Sequence, residues 1–152
     1  MNYDDNSGDF SGHEIKWVEN DDDDKGSWRR GFWAGLVAAH GCFSFVPSGP
    51  KFSISINDFR MLMGLWEDLG RVGKVRKRVG KGRVYSLDVA GSNKCDKLVC
   101  YFKEGFNNSF QDEIFFAWKE GIEEGKGVEW GKKGEIYLKS KIKIEKMRAN
   151  GA

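Results

Sequence analysis

The sequence predicts an α+β domain in which a four-stranded antiparallel sheet carries its helices on one face. Two observations support this fold class. Apolar and polar residues alternate on both sides of a turn in residues 43–56 and again in residues 74–89, which is typical of β-hairpins with one buried face. A segment with helical spacing precedes each hairpin and others follow, so the predicted order is αββαββα with additional C-terminal helices.

The chain begins with an acidic segment, residues 1–27, which is predicted to be an extended tail before a domain at residues 28–150. Residues 1–26 hold nine acidic and two basic side chains, a net charge of −7. The rest of the chain holds 23 basic and 14 acidic side chains, a net charge of +9. An acidic arm on a basic domain indicates binding to a polyanion, or a tail that competes for the same surface.

Composition argues against several other classes of protein. Cys42, Cys95 and Cys100 are odd in number and form no C-x-x-C pair, which argues against a disulfide scaffold or a zinc site. We expect them to be small core residues in a reducing compartment. No run of 18 apolar residues is present, so no membrane span is predicted. The start of the chain lacks the features of secretory and organellar targeting segments.

The first predicted helix has Ser27 as its N-cap and ends at His40, before Gly41. Small residues form two adjacent rows on one side of it: Gly31, Gly35 and Ala39, and Ala34 and Ala38. A glycine inside a helix costs about 1 kcal/mol relative to alanine, and small residues let two helix backbones approach closely. The rows therefore predict a helix-pairing seam, with an ordinary core helix as the alternative.

The remaining elements follow in order. A turn at Pro47–Pro50 joins the first two strands, and a helix with apolar spacing over residues 59–69 ends at Gly70. The second hairpin turns at residues 80–82. Three further helices are predicted: one capped by Ser92 or Asn93, one over residues 109–125 and one over residues 134–148.

Alternation along the strands also predicts which side chains lie on the open face of the sheet. The predicted nucleic-acid-binding set is Lys51, Ser53, Ser55, Asn57, Lys74, Arg76, Arg78, Lys81 and Arg83, with Ser86 and Asp88 also outward. A basic stripe on an open sheet suits phosphate contacts, and an ordinary solvated edge is the alternative. At most Asn57 and Arg76 suit base reading, which favours shaped RNA over sequence-specific DNA.

Trp33 to Gly41, with the sequence WAGLVAAHG, resembles the LAGLIDADG motif of homing endonucleases and related maturases. The order of the following elements and the ending KIKIEKMRANG are similar too, so the resemblance covers residues 28–150. It implies that two such helices pair, from two subunits or two repeats, and that two sheets form a saddle over nucleic acid. With one motif, the chain is expected to dimerise, to pair with another half, or to use a different partner.

His40 falls on the eighth motif position, where the family has an acid that holds divalent metal for phosphodiester hydrolysis. Mg²⁺ prefers oxygen ligands, and neutral imidazole suits it poorly. We therefore predict no catalytic residue, metal or cofactor; Mg²⁺ is needed only if the chain is an active endonuclease. Three interpretations of His40 stay open: a site for a softer metal, a phosphate contact, or a residue without a role after catalysis was lost.

The expected function is that of a catalytically inactive relative that binds structural RNA in an organellar ribonucleoprotein, such as a mitochondrial ribosome or splicing complex. The mitochondrion is favoured over the chloroplast, RNA is favoured over DNA, and no membrane partner is expected. The helix partner would be a second subunit or another protein. The alternative is an active single-motif homing endonuclease that cleaves double-stranded DNA as a homodimer. A protein-binding module that uses only the seam is a third hypothesis.

Overall fold

A computed structural model describes residues 24–78, 80, 82–106 and 109–151, with side chains from Trp28 onward. Five helices and four strands follow one another in these ranges. The elements are α1 (Asp24–His40), β1 (Gly41–Val46), β2 (Gly49–Ile56), α2 (Phe59–Asp68), β3 (Lys74–Lys77), β4 (Tyr85–Ala90), α3 (Ser92–Tyr101), α4 (Phe110–Gly125) and α5 (Trp130–Gly151).

The four strands form one antiparallel sheet in the order β1-β2-β4-β3. This confirms the predicted fold class and the αββαββα order. Pairing of Val46 with Gly49 leaves only Pro47 and Ser48 as the first turn, so β1 ends just before the turn predicted at 47–50 and β2 begins inside it. Gly49 adopts a φ of 138°, which favours glycine and permits this short connection.

Phe43 lies at the centre of the core, on the sheet face that the helices cover. Its side chain is fully buried, and the rings of Phe52, Phe106, Phe115 and Trp118 surround it with centroids 4.8 to 5.6 Å away. Tilted aromatic pairs at these distances add about 0.5–1.5 kcal/mol each beyond the burial of their area. Because the rings come from β2, α4 and the segment after α3, this cluster ties the sheet to the C-terminal half of the domain.

Side chains from α4 and α5 satisfy the carbonyl groups of β1, the strand at one side of the sheet. Gln111 Nε2 donates to Gly41 O at 2.6 Å, and Trp118 Nε1 donates to Ser44 O at 2.9 Å. The guanidinium of Arg148 donates to the carbonyl of Phe43. Edge strands with unpaired carbonyls invite strand addition from other chains, and these donors protect β1 from it.

Three helices begin at positions other than those the sequence predicts. The first helix starts at Asp24, so Ser27 lies inside α1 and the N-cap prediction was wrong; an acidic first residue suits the positive end of the helix dipole. Gly91, not Ser92 or Asn93, precedes α3, and its carbonyl accepts from Cys95 N at 2.9 Å. Helix α5 starts at Trp130 rather than near residue 134, and Lys133 N donates to Glu129 O at 2.9 Å.

The predicted core position of the cysteines is confirmed for one of the three residues. Cys95 is fully buried, and burial raises its thiol pKa to about 12, so it stays protonated and unreactive at neutral pH. Cys42 is half-buried, and Cys100 is exposed on α3. Phe115 is fully buried, whereas its neighbour Phe116 is exposed on α4. None of the described helices is long and apolar enough to cross a bilayer.

We predict that Gly121→Ala destabilises the protein by about 1–3 kcal/mol, because overpacking a close contact forces neighbours to shift. A Cβ at Gly121 would lie 2.7 Å from the Phe45 ring and would also clash with the Ser140 hydroxyl of α5. Urea unfolding measures the change. Gly134→Ala is the matched control, because its Cβ would have no described neighbour within 4 Å and alanine favours the helix. Equal stability of the two variants would contradict the close α4–α5 packing.

Candidate nucleic-acid interface

The open face of the sheet carries polar side chains in rows that cross several strands. In one row, Ser53 of β2, Asp88 of β4 and Lys74 of β3 lie directly opposite one another. In the next, Ser55, Ser86 and Arg76 do the same. The register therefore brings four of the predicted binding residues onto one face, with Lys51 adjacent to them in β2.

A groove of about 440 Å³ runs over part of this face. Of the described charged residues that line it, four are basic and one is acidic: Lys51, Lys74, Arg76 and Lys94, and Asp88. Basic side chains that converge on one concavity focus positive potential there, which attracts polyanions. Lys94 was missed by the sequence reasoning. It belongs to the first turn of α3, and the single residue between β4 and α3 was the signal that this turn lies beside the sheet.

The remaining predicted residues lie around the ends of the strands. Asn57 follows β2, and Arg78 follows β3 instead of belonging to it; both side chains are exposed. Arg83 is exposed in the loop before β4, and Lys81 lies outside the described residues. Arg78 and Arg83 therefore add positive charge outside the groove, whereas Asn57 is neutral.

Ser86 differs from its predicted exposure. The alternation places it on the open face, as predicted, but its side chain is fully buried. Its hydroxyl donates to Asp88 Oδ2 at 3.3 Å. A short side chain in a central strand is shielded by its neighbours across the sheet, here Ser55 and Arg76. Ser86 therefore positions the Asp88 carboxylate and is not itself a contact surface.

Helix α1 is anchored to the end of α2 through Asp68. Trp33 Nε1 donates to Asp68 Oδ2 at 2.7 Å, and Arg29 Nη1 lies 3.6 Å from Asp68 Oδ1. Trp33 and Val37 are fully buried one turn apart, so they define the side of α1 that faces the core. The anchor fixes the rotation of the helix about its axis and so determines which residues face outward.

The predicted seam is divided between two sides of α1. Gly31, Gly35 and Ala39 are exposed, and a Cβ on either glycine would have no neighbour within 4 Å among the described residues. Ala38 is half-buried, whereas Ala34 is buried next to Trp33 and so belongs to the core side. The first row therefore lies on an outward stripe that also carries two exposed aromatic rings, Trp28 and Phe32, stacked at 6.0 Å.

The Tyr101 side chain lies next to Arg30 of α1, and its phenol is neutral at neutral pH. Burial raises its pKa to about 12, and the nearby Asp68 carboxylate adds to that rise, against the opposing effect of Arg30 and Arg29. The Arg30 guanidinium lies 5.6 Å from the centre of the Tyr101 ring. An arginine over an aromatic face is a stabilising contact. The position of Tyr101 thus suits packing and hydrogen bonding rather than proton transfer at neutral pH.

His40 is exposed at the last position of α1, where the chain enters β1. The next acids after His40 in the sequence are engaged elsewhere. Asp58 caps α2 by accepting from Met61 N at 3.0 Å, Glu67 pairs with Arg71 at 2.9 Å, and Asp68 holds Trp33. Throughout the described ranges, no three His, Cys, Asp or Glu side chains are grouped so that they could hold a metal ion.

The sequence matches no family model and no curated protein. Its structure is similar to "Archaeal Intron-encoded Homing Endonuclease I-Vdi141I Complexed With DNA", with a TM-score of 0.65 and 21% identity over 80% of this chain and 84% of that one.

The LAGLIDADG homing endonuclease I-SmaMI bound to cleaved DNA gives a TM-score of 0.60 and 17% identity over 76% of this chain. This chain spans only 42% of the I-SmaMI chain. The group I intron-encoded homing endonuclease I-CeuI in complex with DNA gives 0.57 and 14% identity, over 78% of this chain and 67% of that one. The fold of this chain is therefore that of the LAGLIDADG homing endonucleases, which confirms the resemblance predicted from WAGLVAAHG.

Proposed function

We propose that this protein binds nucleic acid on the open face of its sheet and does not cleave it. The observation that carries the proposal is the convergence of Lys51, Lys74, Arg76 and Lys94 on one groove at the open face of the sheet. Contacts to phosphates supply most of the affinity of such surfaces. The similar structures named above are complexes with DNA, which supports the same use of the fold here.

The chemistry at the end of α1 supports binding without cleavage. Hydrolysis of a phosphodiester by two metal ions needs carboxylates that hold the divalent cations next to the phosphate that is cleaved. The motif position for such an acid holds His40, and Asp58, Glu67 and Asp68 each stabilise their own part of the fold. An imidazole offers nitrogen where Mg²⁺ prefers oxygen ligands, and an imidazole N–H can donate a hydrogen bond to a phosphate.

We further propose that the nucleic acid is structural RNA of an organellar ribonucleoprotein, such as a mitochondrial ribosome or splicing complex. The polar residues on the open face are mostly serine and lysine, which contact phosphate and sugar and distinguish bases poorly. Proteins that recognise folded RNA rely on shape and on contacts to phosphates and 2′-hydroxyls. Arg76 is the described groove residue best suited to base recognition.

The second candidate function is cleavage of double-stranded DNA by a homodimer. The DNA complexes of the similar structures favour it. In either case we propose that the exposed stripe of Gly31, Gly35 and Ala39 pairs with a helix of a second copy. Glycines in a helix weaken it, and the two glycines have no close contact within the described part of their own chain. A second helix packed on the stripe would fill the space beside these two glycines.

The double variant Lys51→Gln/Lys74→Gln tests the groove. We expect weaker binding to both an RNA hairpin and a DNA duplex of equal length. On DNA, the slope of log K against log salt should become shallower by up to about 0.9 for each phosphate that the variant no longer neutralises. Fluorescence anisotropy at several salt concentrations measures the binding constants and the slope. The wild type should bind the hairpin more tightly than the duplex. Lys139→Gln/Lys146→Gln on α5 is the matched control; an equal weakening there would refute a specific groove.

Cleavage is tested on the DNA duplexes that the wild-type protein itself binds best in a selection. With Mg²⁺ or Mn²⁺ present, we expect no site-specific cutting, because His40 cannot replace the motif acid. Strand breaks are detected by sequencing. His40→Ala should keep the fold, since the side chain is exposed. Reproducible cutting by the wild type that is abolished in His40→Ala would establish the endonuclease alternative and overturn the proposal of binding without cleavage.

Gly35→Leu tests helix pairing on the outward stripe. Because a Cβ there meets nothing in the described part of its own chain, we expect the melting temperature of the monomer to be unchanged or slightly raised. The dimer dissociation constant should rise at least tenfold in sedimentation velocity, about 1.4 kcal/mol. Gly134→Leu, at another helical glycine with no described neighbour, is the control and should leave dimerisation intact. A wild-type protein that stays monomeric would exclude a second copy as the partner.

A further inference from the structure

We propose that the acidic segment formed by residues 1–23 docks on the groove of the open face of its own chain and competes there with nucleic acid. The inference rests on the proposed function of that groove and adds a regulatory ligand to it. Three observations carry it: the opposite charges of the two parts, the reach of the segment, and the arrangement of basic residues on the rest of the surface.

The charges of the segment and the groove are complementary. Residues 1–23 hold eight acidic side chains and one basic side chain, Lys16, a net charge of −7. The described charged lining of the groove is four basic residues against the carboxylate of Asp88. A polypeptide with closely spaced carboxylates presents charge to such a groove much as a phosphate backbone does. The same electrostatics that attract nucleic acid therefore attract this segment.

The segment is long enough to reach the groove. Helix α1 has 17 residues, so Asp24 lies about 25 Å from the start of β1 at a rise of ~1.5 Å per residue. The six residues of β1 add at most about 20 Å at ~3.4 Å per residue before Val46, which lines the groove. The path is thus about 45 Å. An extended segment of 23 residues spans about 76 Å, which leaves room for a bent route.

The other basic surface of the described chain, on α5, is a weaker competitor for the segment. Lys143 lies 3.7 Å from Glu120, and Lys133 lies 5.4 Å from the centre of the Trp130 ring. Glu135 and Glu145 are interspersed among the α5 lysines. Exposed charges spread along a helix are screened by solvent and salt more than charges around a groove.

Zero-length carbodiimide cross-linking of the full chain tests the docking directly, because the reagent joins carboxylates to amines that lie at ion-pair distance. We expect cross-links from carboxylates of residues 1–23 to Lys51, Lys74 or Lys94, with yields that fall at high salt. A mixture of isotopically light and heavy chains distinguishes links within one chain from links between copies. Links only to α5 lysines, links only between copies, or no links from the segment would overturn the proposal.

A neutralised full-length variant tests the competition. It carries Asp→Asn and Glu→Gln substitutions at Asp4, Asp5, Asp9, Glu14 and Glu19. We expect it to bind the RNA hairpin at least about fivefold more tightly than wild type at low salt, with the difference disappearing at high salt. Tightening would support competition, and unchanged or weaker binding would refute it. If neither chain binds the hairpin, the proposed function fails, while the cross-links still decide whether the segment docks.

Discussion

The burial of Phe43 among four aromatic rings is the contact on which the architecture depends. Phe43 lies three residues after the end of α1, in the strand next to the C-terminal helices. Its packing therefore fixes the exit of α1, the face of the sheet that is buried and the position of α4 at once. Replacing Phe43 would therefore affect the exit of α1, the buried face of the sheet and the position of α4 together, because protein cores are packed too densely for one part to shift independently.

Because one face of the sheet packs against this core, only the other face is open. Both edge strands are in addition protected from pairing with other strands. Carbonyl groups of β1 accept hydrogen bonds from the side chains of Gln111, Trp118 and Arg148, which disfavours pairing of β1 with a strand of another chain. On the opposite side, β3 is only four residues long and is mostly basic, which also discourages strand addition. A basic face with protected edges suits a rigid, extended partner such as a nucleic acid.

Much of the fold could be predicted because its determinants are local. The alternation of Phe52, Ile54 and Ile56 with polar residues specified both the strand and its exposed face. The contribution of Lys94 to the groove could not be predicted in this way, because it depends on how α3 packs beside β4. The division of the seam, with Ala34 inward and Gly35 outward, depends on the anchoring of α1 by Trp33 and Asp68 across 35 positions of sequence.

Gly31 and Gly35 have a consequence for the order in which the protein folds and assembles. Each glycine lowers the helix propensity of α1, and within the described chain the helix packs through its opposite side, by way of Trp33 and Val37. Because such a helix has low intrinsic stability and packs on one side only, we expect its local opening to cost less free energy than opening of the core. If a second helix covers the outward stripe, folding of α1 and assembly are thermodynamically linked, and dilution alone would loosen the segment that ends at His40.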